Sequence, residues 1–161
     1  GQGLATISLL DYFNENMDSF KKVTLIEPSE LAIKRASLHV QKLNSSIDIL
    51  TINKDLDSLT NTDFTQNASK VKIHLFSNIL DIDLFSLTKL VDLMKTTFDC
   101  ENYFVCASPY INTLKTSRLD SFVKSFSENK NFTLIKEITN RSGEWTGTKW
   151  TRVIRIFKAD L

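Results

Sequence analysis

Hydrophobic positions change period repeatedly along this chain, and each change marks an element. Leu4, Ile7, Leu9, Leu10, Phe13, Met17 and Phe20 recur mostly three or four apart, which predicts one face of a helix over residues 4–20. Val23-Thr24-Leu25-Ile26 is a run of β-formers that stops at Glu27, with Pro28 closing the strand. The period then returns to helical over residues 29–43, where Leu31, Ile33, Ala36, Leu38, Val40 and Leu43 stand among charged residues. Ser29 is placed to cap that helix, and Glu30 suits its positive N-terminal end. Strands are predicted over 47–52, 71–76, 102–107, 132–138 and 151–157. Further helices are predicted from Leu84, Leu87, Leu90, Val91 and Met94, and around residues 117–127. Residues 60–69 form a polar linker without periodicity.

Strand and helix alternate up to about residue 127, which argues a largely parallel sheet with helices on both faces. The last two strands break the alternation. The loop between them, with Gly143, Trp145, Gly147 and Trp150, is too polar for a crossover helix, so they are predicted to pair antiparallel. No repeat or second domain is visible, and a single α/β domain over residues 1–161 is expected.

Composition narrows the chemistry. The chain has 161 residues, 42% hydrophobic and 24% charged, and a net charge of +1, which fits a globular domain and gives no case for a strongly basic nucleic-acid binder. Cys100 and Cys106 read as buried thiols of a reducing compartment, the cytoplasm. With two histidines and no Cys-x-x-Cys, no metal site is expected. No apolar run reaches membrane-spanning length, and no membrane role is expected. A chain opening on Gly1-Gln2-Gly3 is expected to be part of a longer protein.

The strongest functional pattern joins that glycine turn to Glu27. In open α/β sheets ligands sit outside the carboxyl ends of strands, and an acid about 20 residues beyond a glycine-rich turn can hold the hydroxyls of a ribose. The bland alternative for Glu27 is a carboxylate that only starts the helix. For Gly1 and Gly3 it is an ordinary loop.

Together, Gly1-Gln2-Gly3, Ile26-Glu27-Pro28-Ser29, the Asp loop after the next strand and the terminal hairpin resemble a class I S-adenosylmethionine-dependent methyltransferase. The resemblance implies a Rossmann-like three-layer sandwich with strand order 3-2-1-4-5-7-6. The first strand would precede residue 1, to be completed by the rest of a longer polypeptide or by a second chain. Cofactor binding by this chain alone is therefore expected to be weak. The resemblance also implies S-adenosylmethionine as cofactor, held by Gly1, Gly3, Glu27, Pro28, Asp55 and Ser77. Asp55 would face the adenine amino group, with Asp57 as competitor.

His74, Ser77 and Asn78 surround the end of the fourth strand in this scheme and are the catalytic candidates, though His74 alternates with Ile73 and Leu75 as a packed residue would. Ser77-Asn78-Ile79-Leu80 lacks the Asn/Asp-Pro-Pro-aromatic box of amino-group methyltransferases, which leaves the acceptor unnamed. Trp145 and Trp150 with Arg141, Lys149, Arg152 and Arg155 could stack on nucleic acid, but a packed hairpin with its charges in water is the favoured reading, because the basic residues are balanced by acids elsewhere and are not densely clustered. Two rivals stand beside the methyltransferase: an inactive module of the same fold kept for interaction, and a nicotinamide-dependent oxidoreductase.

Overall fold

The computed structural model describes residues 3–64, 69–140, 144–145, 148–149 and 151–161. They fall into two compact units, residues 1–59 and 60–161.

In the first unit, helix α1 (Leu4–Tyr12) is followed by a 3-10 stretch over Asn14–Ser19 that is kinked at Asn16. The helix expected over 4–20 therefore ends early, as the weak helix propensity of Asn14 and Asn16 explains. Strand β1 (Lys22–Ile26), helix α2 (Glu30–Leu43) and strand β2 (Asp48–Ile52) form a βαβ unit, and β1 pairs parallel with β2. Ser29 caps α2 by accepting from the Ala32 amide at 3.4 Å. One face of α2 buries Ile33, Ala36 and Val40. Val40 packs with Leu10 and Ile47, while Ile33 and Ala36 pack with Leu25.

The second unit is a four-stranded sheet. Strands β3 (Val71–Ser77), β4 (Glu101–Ser108), β5 (Thr133–Asn140) and β8 (Arg152–Asp160) lie in the order β3-β4-β8-β5. β3 and β4 are parallel; β8 is antiparallel to both neighbours, as the missing crossover helix predicted. Two short strands, β6 (Glu144–Trp145) and β7 (Thr148–Lys149), pair within the β5–β8 connection. β5 carries a register break between Leu134 and Lys136.

Alternation along β4 and β8 puts Asn102, Phe104, Cys106 and Ser108, with Val153, Arg155, Phe157 and Ala159, on one buried face. Helices α3 (Leu87–Thr97) and α4 (Thr113–Lys124) cover that face and are joined by the Lys95 ammonium donating to the Ser125 carbonyl at 2.6 Å. α4 begins earlier than its apolar pattern suggested because Asn112 caps it, accepting from the Lys115 amide at 2.9 Å. Phe104, Phe122, Phe126 and Phe157 are fully enclosed, and the Phe104 and Phe157 rings stack at 4.4 Å. Each such side chain contributes about 1.5–3 kcal/mol by leaving water. The polar stretch after residue 60 contains a 3-10 turn (Asn61–Phe64) anchored by buried Phe64 against Phe98, ring centroids 5.1 Å apart, so it is not plain linker.

Candidate functional site

β1 and β2 end level, Ile26 opposite Ile52, and the Glu27 amide still donates to the Ile52 carbonyl at 3.2 Å. This puts Glu27 and Asn53 side by side at the carboxyl edge. Glu27 is half-buried, and its Oε1 accepts from the Ser29 amide at 3.1 Å. The helix-starting role weighed for this acid therefore exists. It does not exhaust the group, because a carboxylate offers about four lone-pair sites.

The Asn53 amide donates to the carbonyls of Glu27 and Pro28, both at 2.9 Å. That clamp fixes the β1–α2 turn to the end of β2. Sequence reasoning missed Asn53, because its partners lie 26 and 25 residues away. Pro28 is exposed at the turn. Asp55 is exposed and caps the next 3-10 turn (Leu56–Ser58), accepting from the Ser58 amide at 2.8 Å. Hydrogen bonds from Ser58 hold its carboxyl below the usual range. Asp57, the competing acid, is exposed on the same turn.

Gly3 has φ +76°, and a Cβ there would stand 3.0 Å from the Ala36 Cβ. Conformation and space both require glycine at this start of α1. Gly1 lies outside the described residues.

In the second unit, Ser77 is exposed at the last position of β3, opposite Ala107. Asn78 follows in the left-handed region (φ 56°), and its amide donates to the Ala107 carbonyl at 2.8 Å, bending the chain over the end of β4. His74 points the other way. Its ring lies 4.9 Å from both Phe98 and Phe104, and its Nε2 is 2.8 Å from the Asn102 Oδ1. Asn102 in turn donates to the carbonyls of Phe98 and Cys100, so its Oδ1 faces the imidazole as acceptor. Burial pushes the His74 pKa down to about 4, against the opposing pull of Asn102. The candidate histidine thus sits neutral in a packed network, away from Ser77 and Asn78.

Burial also pushes the Cys106 thiol up to about 12, which removes it as a nucleophile at neutral pH. Arg155, expected on the water side, is 3% exposed. It is held by Asp120 at 2.8 Å, Glu137 at 3.4 Å, the Ile138 and Ile154 carbonyls and Thr139. It cannot join a nucleic-acid surface. Arg141 and Trp150 of that set lie outside the described residues, as do the side chains of Trp145 and Lys149.

A second feature missed by sequence lies past β3: Asp81, almost fully buried, accepts from the Ser108 hydroxyl at 2.9 Å. The carboxyl edges differ from the open groove of about 400 Å3 between α3 and α4, lined by Leu87, Val91, Lys95 and Ser121, which gathers no candidate residue. Among the described residues no group of three His, Cys, Asp or Glu is arranged to hold a metal ion, and no helix is long and apolar enough to cross a membrane.

No protein-family model matches the sequence, and no curated protein matches it significantly. Solved structures do match. A candidate methyltransferase from Thermoplasma acidophilum aligns over 98% of this chain with a TM-score of 0.55 at 14% identity. This chain spans 65% of that protein's length. A candidate methyltransferase from Bacillus halodurans aligns over 97% of this chain and 88% of its own, with a TM-score of 0.52 at 9% identity. An rRNA methylase from Streptococcus thermophilus aligns over 98% of this chain and 97% of its own, with a TM-score of 0.51 at 8% identity.

Proposed function

We propose, from the fold this chain shares with class I S-adenosylmethionine-dependent methyltransferases, that it transfers a methyl group from S-adenosylmethionine to an acceptor. The observation that carries the reading is the level carboxyl edge of parallel β1 and β2, where a half-buried Glu27 stands beside the Asn53 clamp. The neighbours within each unit, β2 beside β1 and the run β3-β4-β8-β5, support the order 3-2-1-4-5-7-6, with the long strands as the second to seventh.

The residues present suit the cofactor chemically. Glu27 accepts from the two ribose hydroxyls while keeping its bond to Ser29. Asp55, ionised at neutral pH, accepts from the adenine amino group. Gly3 and Gly1 allow backbone to approach the methionine portion, and Pro28 holds the turn open. When bound, S-adenosylmethionine supplies an electrophilic methyl on a sulfonium. Ser77 and Asn78 then line the edge where the acceptor arrives, and catalysis is mainly positioning and exclusion of water. The two free thiols support residence in a reducing compartment, the cytoplasm.

Calorimetric titration with S-adenosylmethionine and S-adenosylhomocysteine tests this. Weak but saturable binding is expected at millimolar ligand, and Glu27→Ala weakens it further by about 1.5–3 kcal/mol, the range for losing charged hydrogen bonds. Fold stability should scarcely change, because a carboxylate at the end of a strand holds up no core. No heat from either compound, or an unchanged affinity in a folded Glu27→Ala, would refute the reading.

A further inference from the structure

Asp81 is 6% exposed, yet its described contacts comprise one neutral donor, the Ser108 hydroxyl at 2.9 Å. A carboxylate held out of water on a single hydroxyl costs free energy that an apolar residue would not. Its other oxygen has no partner among the described residues, and it is not among the side-chain atoms sealed without one, so it opens to the surface.

The surroundings hold this group in place from both sides. Upstream, the left-handed Asn78 is fastened to the Ala107 carbonyl. Downstream, Asp83 is gripped by Lys115 at 2.6 Å and Arg118 at 3.7 Å, and Arg118 also donates to the Phe85 carbonyl at 2.7 Å. A loop pinned at both ends therefore sets a buried acid over Ser108, the last residue of β4, at the carboxyl edge of two parallel strands. Ligands bind at such edges. The connection after β3 leaves Leu84 in water at 88% exposure, the connection after β4 leaves Ile111 at 57%, and the first turn of α4 leaves Leu114 at 73%. Large apolar side chains exposed on the segments that leave such an edge suit a ligand with an apolar body.

We propose that Asp81, oriented by Ser108, is the proton acceptor for the methyl acceptor. The acceptor would be a molecule with a neutral O–H or N–H nucleophile on an apolar body. This rests on the methyltransferase reading for its chemistry. The bond from the nucleophile to the methyl carbon forms as the carbon–sulfur bond breaks. The sulfur keeps the electron pair, and the proton passes to the open oxygen of Asp81. Charge balances: sulfonium and carboxylate go to thioether and carboxylic acid.

The test uses the full chain with 13C-labelled aspartate, followed by NMR with and without S-adenosylhomocysteine. Benzyl alcohol, benzamide, toluene and benzoate serve as probes. The alcohol and the amide should shift the Asp81 carboxyl and the Ser108 amide; toluene and benzoate should not. Asp81→Asn, which preserves shape, should weaken benzyl alcohol binding about tenfold or more while S-adenosylhomocysteine affinity stays the same. Ser108→Ala should weaken it less, about threefold, by freeing the carboxylate to turn. Three results would overturn the proposal: no shift at Asp81 from either protic probe, a toluene shift as large as the alcohol's, or unchanged alcohol binding in Asp81→Asn. Failure of S-adenosylhomocysteine to bind while the protic probes still move Asp81 would sink the methyltransferase reading and keep the site as a binding site only, overturning the proton transfer.

Discussion

The two units bury their apolar residues in different ways. The unit from residue 60 onward centres on Phe104, Phe122, Phe126 and Phe157, all at zero exposure and in mutual ring contact, with Phe122 contributed by α4 itself. The unit before it holds two strands and divides its core into small aliphatic groups, Leu10 with Val40 and Ile47, and Leu25 with Ile33 and Ala36. Two-stranded sheets are marginal without packing partners. The region with the proposed cofactor edge is thus the less heavily built, as expected of elements that must yield to a ligand.

The sharpest way to break this contrast is Phe157→Ala. Removing a fully enclosed ring that stacks on Phe104 should cost about 3–5 kcal/mol in urea unfolding, read from the β4 and β8 amides. Leu10→Ala should cost somewhat less, about 2–4 kcal/mol. Its effect should appear as faster hydrogen exchange in α1 and α2, with the amides of β4 and β8 unmoved. Equal acceleration in both regions would show that they unfold together.

A pH series separates the units differently. The His74 pKa is depressed to about 4 in the folded chain, against 6.5 for the exposed group. The unfolded chain therefore takes up the proton first. The stabilisation is complete above pH 6.5 and is lost as pH falls from there toward 4, a change of about 3 kcal/mol. His74→Gln should flatten that slope in the second unit; a slope that persists would place its origin in other groups. The smallest effect concerns Gly3→Ala. The left-handed backbone and the 3.0 Å approach to Ala36 together should cost about 1–2 kcal/mol, seen as faster proteolysis near α1.

Much of this was legible in the residue pattern. The abrupt stop at Ile26-Glu27-Pro28 fixes a strand end and a helix start, and both are local consequences of neighbouring residues. The antiparallel course of β8 followed from the loop between it and β5, which is too polar for a crossover helix. What escaped was long in range or ambiguous in phase. β8 is apolar on both faces, with Val153 and Phe157 on one and Ile154 and Ile156 on the other, so period alone could not tell that Arg155 lies inside. Asp81 looks like any loop acid beside Asp83; only the Ser108 hydroxyl, 27 residues on, distinguishes them. The partnership of His74 with Asn102 spans 28 residues and leaves no local trace. The α1 helix failed for a local reason instead: an apolar stripe continued past Phe13, but Asn14 and Asn16 could not sustain the turn.

The register break in β5 has a consequence for life at high concentration. β5 is an outer strand of its sheet and shows water two large apolar side chains, Leu134 at 43% exposure and Ile135 at 50%. A straight strand of that kind would serve as a template on which another copy could stack edge to edge. The extra residue between Leu134 and Lys136 interrupts the ladder and twists the rim, and Lys136 and Glu137 then bring charge to it. An incoming strand finds no long uninterrupted run of hydrogen-bonding groups to match, so the same irregularity that disturbs one pairing guards the molecule against fibril-like growth.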